Sequence, residues 1–198
     1  GHIRAGSGGT FTNNALFTES VGGALFNNDY GGTGGTTFIN SATGTYSKTA
    51  GATTFSTATF VNSGTVSVSG GALYLNNATF NAGSTIGSSG AGSVQLIGGV
   101  LTANGAVNVQ DFVLNGGQLT GNQTFNGTLS WLSGNLNTAG TMTIGSGATL
   151  SIANSVNHDF DGHAIVNNGT VNWTFGPLRS GSSGYISNNG VWNDSAFG

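Results

Sequence analysis

The sequence has no cysteine, only three lysine or arginine residues, and a charged fraction of 5% over 198 residues. Without cysteine there is no disulfide and no thiolate metal site. The three cations are Arg4, Lys48 and Arg179. They cannot supply the cluster of positive charge that binds a phosphate backbone through counterion release, so nucleic acid is excluded as a partner and an anionic membrane surface is no better suited. No apolar run reaches the roughly eighteen residues of a membrane-spanning helix, so membrane insertion by a helix is not expected. The helix formers Glu, Lys, Gln and Arg are nearly missing. There is no initiator Met and no signal peptide. Gly1-His2-Ile3 reads as an expression scar, and 1–6 are expected to lie outside the ordered fold.

What is present is glycine, 37 residues of it, with abundant Asn, Ser and Thr and a hydrophobic fraction of 36% that includes 12 Phe. Disordered chains lack bulky apolar residues. Here they are spread along the whole chain, enough for a long, thin core. One phrase recurs: an aromatic or aliphatic residue, Asn, Gly, a small polar residue, then alternating apolar positions. It reads Phe60-Val-Asn-Ser-Gly64-Thr-Val-Ser-Val68, then Phe125-Asn-Gly127-Thr-Leu-Ser-Trp131, then Ile165-Val-Asn-Asn-Gly169-Thr-Val-Asn-Trp173, and in shortened form Ile186-Ser-Asn-Asn-Gly190-Val-Trp192. Its glycines, Gly64, Gly83, Gly105, Gly127, Gly147, Gly169 and Gly190, return about every 21 residues, the period of a repeat architecture. A second phrase, Gly-Gly-x-Leu, occurs at 22–25, 70–73, 98–101 and 116–119. Its middle spacings are shorter, so the two registers disagree between residues 94 and 136. The Gly/Ser-rich segment 83–92 is expected to bulge from one coil as a loop.

Apolar and polar residues alternate in Val66-Ser-Val68, Val107-Asn-Val109 and Leu150-Ser-Ile152, the period of a strand with one buried face. Each run ends in Gly or Asn-Gly, which accept the positive φ of a sharp corner. Asn-Gly also marks antiparallel hairpins. A meander, however, would return the phrase on every second strand, whereas stacked parallel coils place like over like. The expected fold is all-β: a single parallel β-helix (β-solenoid) of eight to ten coils of about 21 residues. At ~4.8 Å per coil the rod would be about 40–45 Å long. Residues 1–198 form one domain, read as a piece of a longer exported protein because 194–198 break off within the pattern. Exposed strand edges at the ends predict end-to-end self-association.

The phrases Phe-x-Asn-x-Gly-Thr-Val-x-Val and Gly-Gly-x-Leu resemble the β-helical passenger repeats of bacterial autotransporters and filamentous-haemagglutinin-type surface adhesins, over residues ~20–195. The resemblance implies a right-handed solenoid, export, and display at a bacterial surface or release outside the cell. Host or environmental glycans or proteins would be the partners. It brings no shared catalytic motif and no cofactor.

Candidate sites are few. Asn157-His158-Asp159-Phe160-Asp161-Gly162-His163 holds two of the six acids and two of the three His. On an extended strand Asp159, Asp161 and His163 would share one face, ~7 Å apart, with Phe160 inward. That spacing suits a bound cation or a carboxylate pair acting on glycosides; the plainer reading is a solvated turn. Lys48 as the base of a uronate lyase lacks an acid nearby in sequence, although a solenoid neighbour one coil away could supply one. Trp131 and Trp173 recur at one place in the phrase. Facing out they would stack sugar rings, but Leu129 and Val171 share their parity, which favours the core. Thr37, Thr59, Thr79, Thr124 and Thr143 each precede an inward residue and would form an outward ladder, the surface of an ice-binding solenoid if regular. A non-enzymatic structural or adhesive segment leads; a carbohydrate-binding or carbohydrate-active β-helix is the alternative, and ice binding the third.

Overall fold

The computed structural model describes residues 3–23, 26–32, 34–55 and 57–196. Among them every regular element is a strand, and every strand pair is parallel. The strands stack as a β-solenoid of about eight turns. The meander fails because none of these pairs is antiparallel.

Each coil visits three faces. Face A begins with Thr10–Asn13, Thr36–Asn40, Ala58–Asn62 and Ala78–Asn81. Face B begins with Leu16–Glu19, Thr45–Lys48 and the first halves of Thr65–Leu75 and Thr85–Leu96. Face C begins with Ile3–Ala5 on Phe26–Asn28, then Ala52–Phe55 on the second half of Thr65–Leu75. Strands in the middle of the chain bend around corners without interruption. Phe112–Phe125 pairs successively with Thr85–Leu96 on face C and with the two halves of Val100–Gln110 on faces A and B.

Stacking like on like builds the core. Phe11, Phe38 and Phe60 lie nearly coplanar-parallel on face A, with centroids 5.2 and 5.4 Å apart. Phe17 stacks on Tyr46 at 5.7 Å, and Phe26 on Phe55 at 4.9 Å. Such pairs add about 0.5–1.5 kcal/mol each beyond the area they bury. Later coils replace the rings mostly with aliphatic side chains: Ile86, Val109, Phe125 and Ile144 follow Tyr46 and Val66 on face B. The corner Asn points inward at Asn13, Asn40, Asn62 and Asn167, whereas Asn126 of the copy at 125–131 is exposed. Asn13 donates to Asn40 Oδ1 at 2.8 Å, Asn40 to Asn62 Oδ1 at 2.8 Å, and Asn167 to Asn188 Oδ1 at 2.7 Å. Each Nδ2 also reaches a carbonyl of the coil above: Thr45, Thr65 and Val191 respectively. These amides satisfy corner carbonyls that would otherwise be buried without a donor.

The conflict of registers between residues 94 and 136 has a structural cause: each phrase changes corner once. At Asn62-Ser-Gly64-Thr65 the phrase turns from face A to B, whereas at Asn126-Gly127-Thr128 and Asn167-Asn-Gly169-Thr170 it turns from B to C. Gly-Gly-x-Leu turns from B to C at 70–73 but from C to A at 98–101. Its copy at 22–25 extends outside the described residues. Coil length varies accordingly. Asn13 meets Asn40 27 residues on, Asn40 meets Asn62 after 22, Asp111 meets Thr128 after 17, and Asn172 meets Asn193 after 21.

Four expectations are corrected. The phrase's glycines do not all serve positive φ. Gly83, Gly105 and Gly147 do, at φ 80°, 96° and 83°. Gly64, Gly169 and Gly190 are instead required by close stacking, since a Cβ would overlap carbonyl oxygens of the coil below. Segment 83–92 is no loop: Thr85–Leu96 is one strand, with a register shift between Ser88 and Ala91 where Ser89-Gly90 rounds the corner. Residues 3–6 are ordered, with Ile3–Ala5 paired to Phe26–Asn28 and Arg4 bonded to Asp29 at 2.9 Å. The five threonines do not form one column. Thr37 and Thr59 are in register, but Thr79 falls opposite Val61, and Thr124 and Thr143 lie on face B.

Candidate functional site

The cluster at 158–163 is divided by its own turn. His158–Asp159 is a short strand, after which Asp161 and Gly162 turn with Gly162 at φ 72°. The turn reverses the inward–outward parity, so His163 enters the next strand facing the core and is fully buried, as is His158. Asp159, Asp161 and His163 therefore do not share a face, and among the described residues no three His, Asp or Glu side chains are grouped to hold a metal ion.

His158 packs edge-on against Trp131, centroids 5.1 Å apart, with Nε2 3.1 Å from the Trp131 carbonyl. His163 Nδ1 lies 2.8 Å from the Thr138 carbonyl. Each ring thus donates one N–H, and His158 Nδ1 and His163 Nε2 are left without a partner. Burial lowers both imidazole pKa values below the ordinary histidine range.

Asp159 faces out and accepts both arms of Arg179, at 2.7 and 2.8 Å. The Arg179 hydrogen bonds hold its carboxyl below the usual carboxylate range. With Asp161, Asn137, Ser180 and Gly181 this pair lines a shallow depression of about 230 Å³. A carboxylate held low by a guanidinium makes a poor general acid, so the arrangement suits recognition better than hydrolysis.

The tryptophans take inward positions. Trp131 is fully buried, its indole donating to the Gly134 carbonyl at 3.0 Å. Trp173 repeats the contact with Gly176 at 2.7 Å but is only half-buried. It borders a recess of about 380 Å³ with the exposed Phe175, Pro177, Ser155 and Asp194. The two indoles therefore form no outward platform, and of the two it is Trp173 that borders a recess.

Two constellations escape the sequence pattern. Lys48 does have its acid: Glu19, one coil away, at 3.1 Å, with both side chains buried. Lys48 Nζ is also bonded to the carbonyls of Val21 and Ala50 at 3.0 and 2.9 Å and to Thr53 Oγ1 at 3.0 Å. Tyr46 and Thr53 hydroxyls donate to the same Glu19 carboxylate. Burial and the adjacent carboxylate push the Tyr46 phenol up. This cluster is closed to substrate. The second is Asp111, at φ 51°, the one-residue corner between Val100–Gln110 and Phe112–Phe125. Its carboxylate accepts the Thr128 amide at 2.6 Å. Because the coil below rounds the same corner with extra residues, a hydroxyl-lined ledge of about 360 Å³ opens beside it, formed by Ser89, Ser93, Thr128 and Ser130. Asn and Asp visit positive φ more readily than other residues, but a lone Asp gave no sequence signal for it.

Comparison with known protein families, curated proteins and solved structures returns no match.

Proposed function

We propose that the chain is a non-enzymatic structural and adhesive segment of an exported bacterial surface protein, meeting host or environmental glycans or proteins through its polar faces. The observation that carries this reading is how the charge is used. Arg4, Lys48 and Arg179 are each bonded to a carboxylate, on Asp29, Glu19 and Asp159. No acid–base pair stands free in a cleft among the described residues, as hydrolysis or elimination would need. Outward positions carry Thr, Ser and Asn in register, such as Thr128/Ser130, Thr149/Ser151 and Thr170/Asn172 on face C. A rigid rod with repeating hydroxyl and amide groups suits multivalent contact, where weak sites add through effective concentration. Export and surface display rest on the passenger-repeat resemblance.

A glycan array with and without Ca²⁺, followed by analysis of the eluted glycans, tests the reading. Saturable binding with intact glycans is expected, and shortened glycans would overturn it. Binding that requires Ca²⁺ would implicate Asp159 and Asp161. A second reading, a carbohydrate-binding module, is favoured by the recess at Trp173, Phe175 and Asp194. It expects Phe175→Ala to abolish array binding, whereas the multivalent reading expects little change.

A further inference from the structure

The recess beside Asp111 lies in the middle of the rod, with coils of the same chain on both sides: Thr65–Leu75 beneath it and Thr149–Ala153 above. A difference in path length creates it. Gly87 lies opposite Gln110, and Gln95 opposite Val113. From 87 to 95 the lower coil runs eight residues, where the upper coil runs three from 110 to 113. The upper coil therefore cuts inside the corner, and 88–94 project as a shelf over which no strand is registered among the described residues. The next coil supplies the roof, since Leu129 and Ser130 are in register with Phe112 and Val113.

Asp111 spans that corner alone, at φ 51°. Glycine takes such a conformation with less strain, so what Asp brings to the position is its carboxylate. One oxygen is used: Oδ1 accepts the Thr128 N–H at 2.6 Å. Oδ2 has no partner among the described residues, and Asp111 belongs to none of their ion pairs. The hydroxyls of Ser89, Thr128 and Ser130, on the same recess, are likewise uncommitted within the described residues. Ser93 Oγ accepts from Gln95 Nε2 at 3.0 Å and keeps its own proton for a ligand. Ser88 Oγ donates to the Asp111 carbonyl at 2.8 Å and so ties the corner to the shelf.

These groups define the ligand. A carboxylate oxygen without a partner calls for hydroxyl donors, and O–H···O⁻ bonds are short and roughly twice as strong as neutral ones. Serine and threonine hydroxyls both donate and accept, as sugar hydroxyls do. Phe112 at the back is 3% exposed, so it offers no ring face for stacking. No Lys or Arg lines the recess, and an anionic ligand would meet an unpaired carboxylate. The volume of about 360 Å³ lies at the small end of ligand clefts, roughly 300–1,000 Å³. We propose that this recess binds one uncharged sugar unit and rejects acidic sugars, with ring hydroxyls donating to Asp111 Oδ2 and bonding to Ser89, Ser93, Thr128 and Ser130. The site rests on the reading that this chain meets glycans, and it confines one such contact to a single corner.

An amide NMR titration of the whole chain tests this with the methyl glycosides of glucose, galactose, mannose and N-acetylglucosamine, and with methyl glucuronide as the acidic control. At least one neutral glycoside should give saturable shifts confined to 88–93, 111–113 and 128–130, and the glucuronide should give none. Asp111→Asn keeps the corner, because Asn also visits positive φ and its amide oxygen still accepts from Thr128. It should weaken neutral binding about five- to tenfold and narrow the gap to the glucuronide, a change of selectivity that a purely structural role would not produce. Ser130→Phe fills the recess from the outward side of face C and should abolish the local shifts. Circular dichroism melts matching the wild type establish folding; should either variant fail them, the other variant and the wild-type shift map decide. Shifts spread along Thr149/Ser151 and Thr170/Asn172 with none at Asp111 would overturn the proposal. So would no shift from any neutral glycoside, equal binding of the glucuronide, or unchanged binding in Asp111→Asn. Array binding retained beside any of these results would show that the adhesive reading survives without this site.

Discussion

Lys48→Met should be among the most destabilising single changes in the chain, although it touches no surface. Lys48 and Glu19 side chains are 0% and 2% exposed. Lys48 Nζ has four oxygen partners between 2.9 and 3.1 Å, and Tyr46 and Thr53 occupy the Glu19 carboxylate beside it. Methionine fills a similar volume, so packing is roughly kept. What it leaves is a buried carboxylate without a counter-ion and two carbonyls without a donor. Breaking a buried pair in this way costs about 3–5 kcal/mol, or roughly 6–20 °C at about 2–4 °C per kcal/mol for a chain of this size. Because coils communicate mainly with their neighbours, the loss should appear first in the opening coils. Hydrogen exchange at Leu16–Glu19 and Thr45–Lys48 should accelerate well before exchange at Thr149–Ala153. Adding Glu19→Gln should restore more than half the loss, since a neutral amide oxygen still accepts from Tyr46 and Thr53. A Lys48→Met cost below about 0.5 kcal/mol, the size of an ordinary surface substitution, would refute the reasoning, as would a double variant less stable than the single.

Acid should loosen the later coils. His158 faces Trp131, Val156, Asp159 and Pro177, and His163 faces Thr138 and Phe160. Their lowered pKa values mean that the unfolded chain binds more protons, so stability is full above the ordinary histidine value of about 6.5 and is lost as pH falls toward the folded values. Melting followed from pH 7.5 to about 5 should show that decline, and His163→Gln should flatten it. Gly64→Asn should cost about 1–3 kcal/mol or more through overlap with the Gly44 and Ser41 carbonyls. Gly83→Asn, at φ 80° with open space around it, should cost about 1 kcal/mol or less; chemical denaturation separates the two. Asn40→Ala removes the central rung of the ladder, taking the acceptor from one Asn13 N–H and the side-chain donor from the Thr65 carbonyl, and costs about 1–3 kcal/mol. Asn189→Ala, on the surface, should stay within about 0.5 kcal/mol in the same assay.

The fold was legible because its signals are local. Period-two alternation in Val66-Ser-Val68, glycine corners, and a recurring Asn each follow from a few adjacent residues. The phase of the coils was not, because it depends on pairings such as Val113 with Ser130 and Val107 with Gln123, whose spacing varies from coil to coil. The His163 expectation failed for a similar reason: an extended strand was assumed where Gly162 allows a turn that flips the next residue inward. Glu19 and Lys48 lie 29 residues apart, so only the coil length of that one turn reveals that they meet. Asp111 gives no sign at all in sequence, since its corner is tight only by comparison with Ser89-Gly90 in the coil below. The core position of Trp131 could be read, because parity with Leu129 suffices.

The change of corner carries the account, since the site geometry and the variable coil length both depend on it. Paired cysteines test it in a chain that has none of its own. Val113 and Ser130 are in register on adjacent strands of face C, whereas Asn108 lies on face B opposite Thr124. Strands ~4.8 Å apart are within disulfide reach. Val113→Cys with Ser130→Cys should oxidise readily within one chain, and Asn108→Cys with Ser130→Cys, the pair demanded by an unbroken phrase period, should not. A disulfide in the second pair and none in the first would contradict the account.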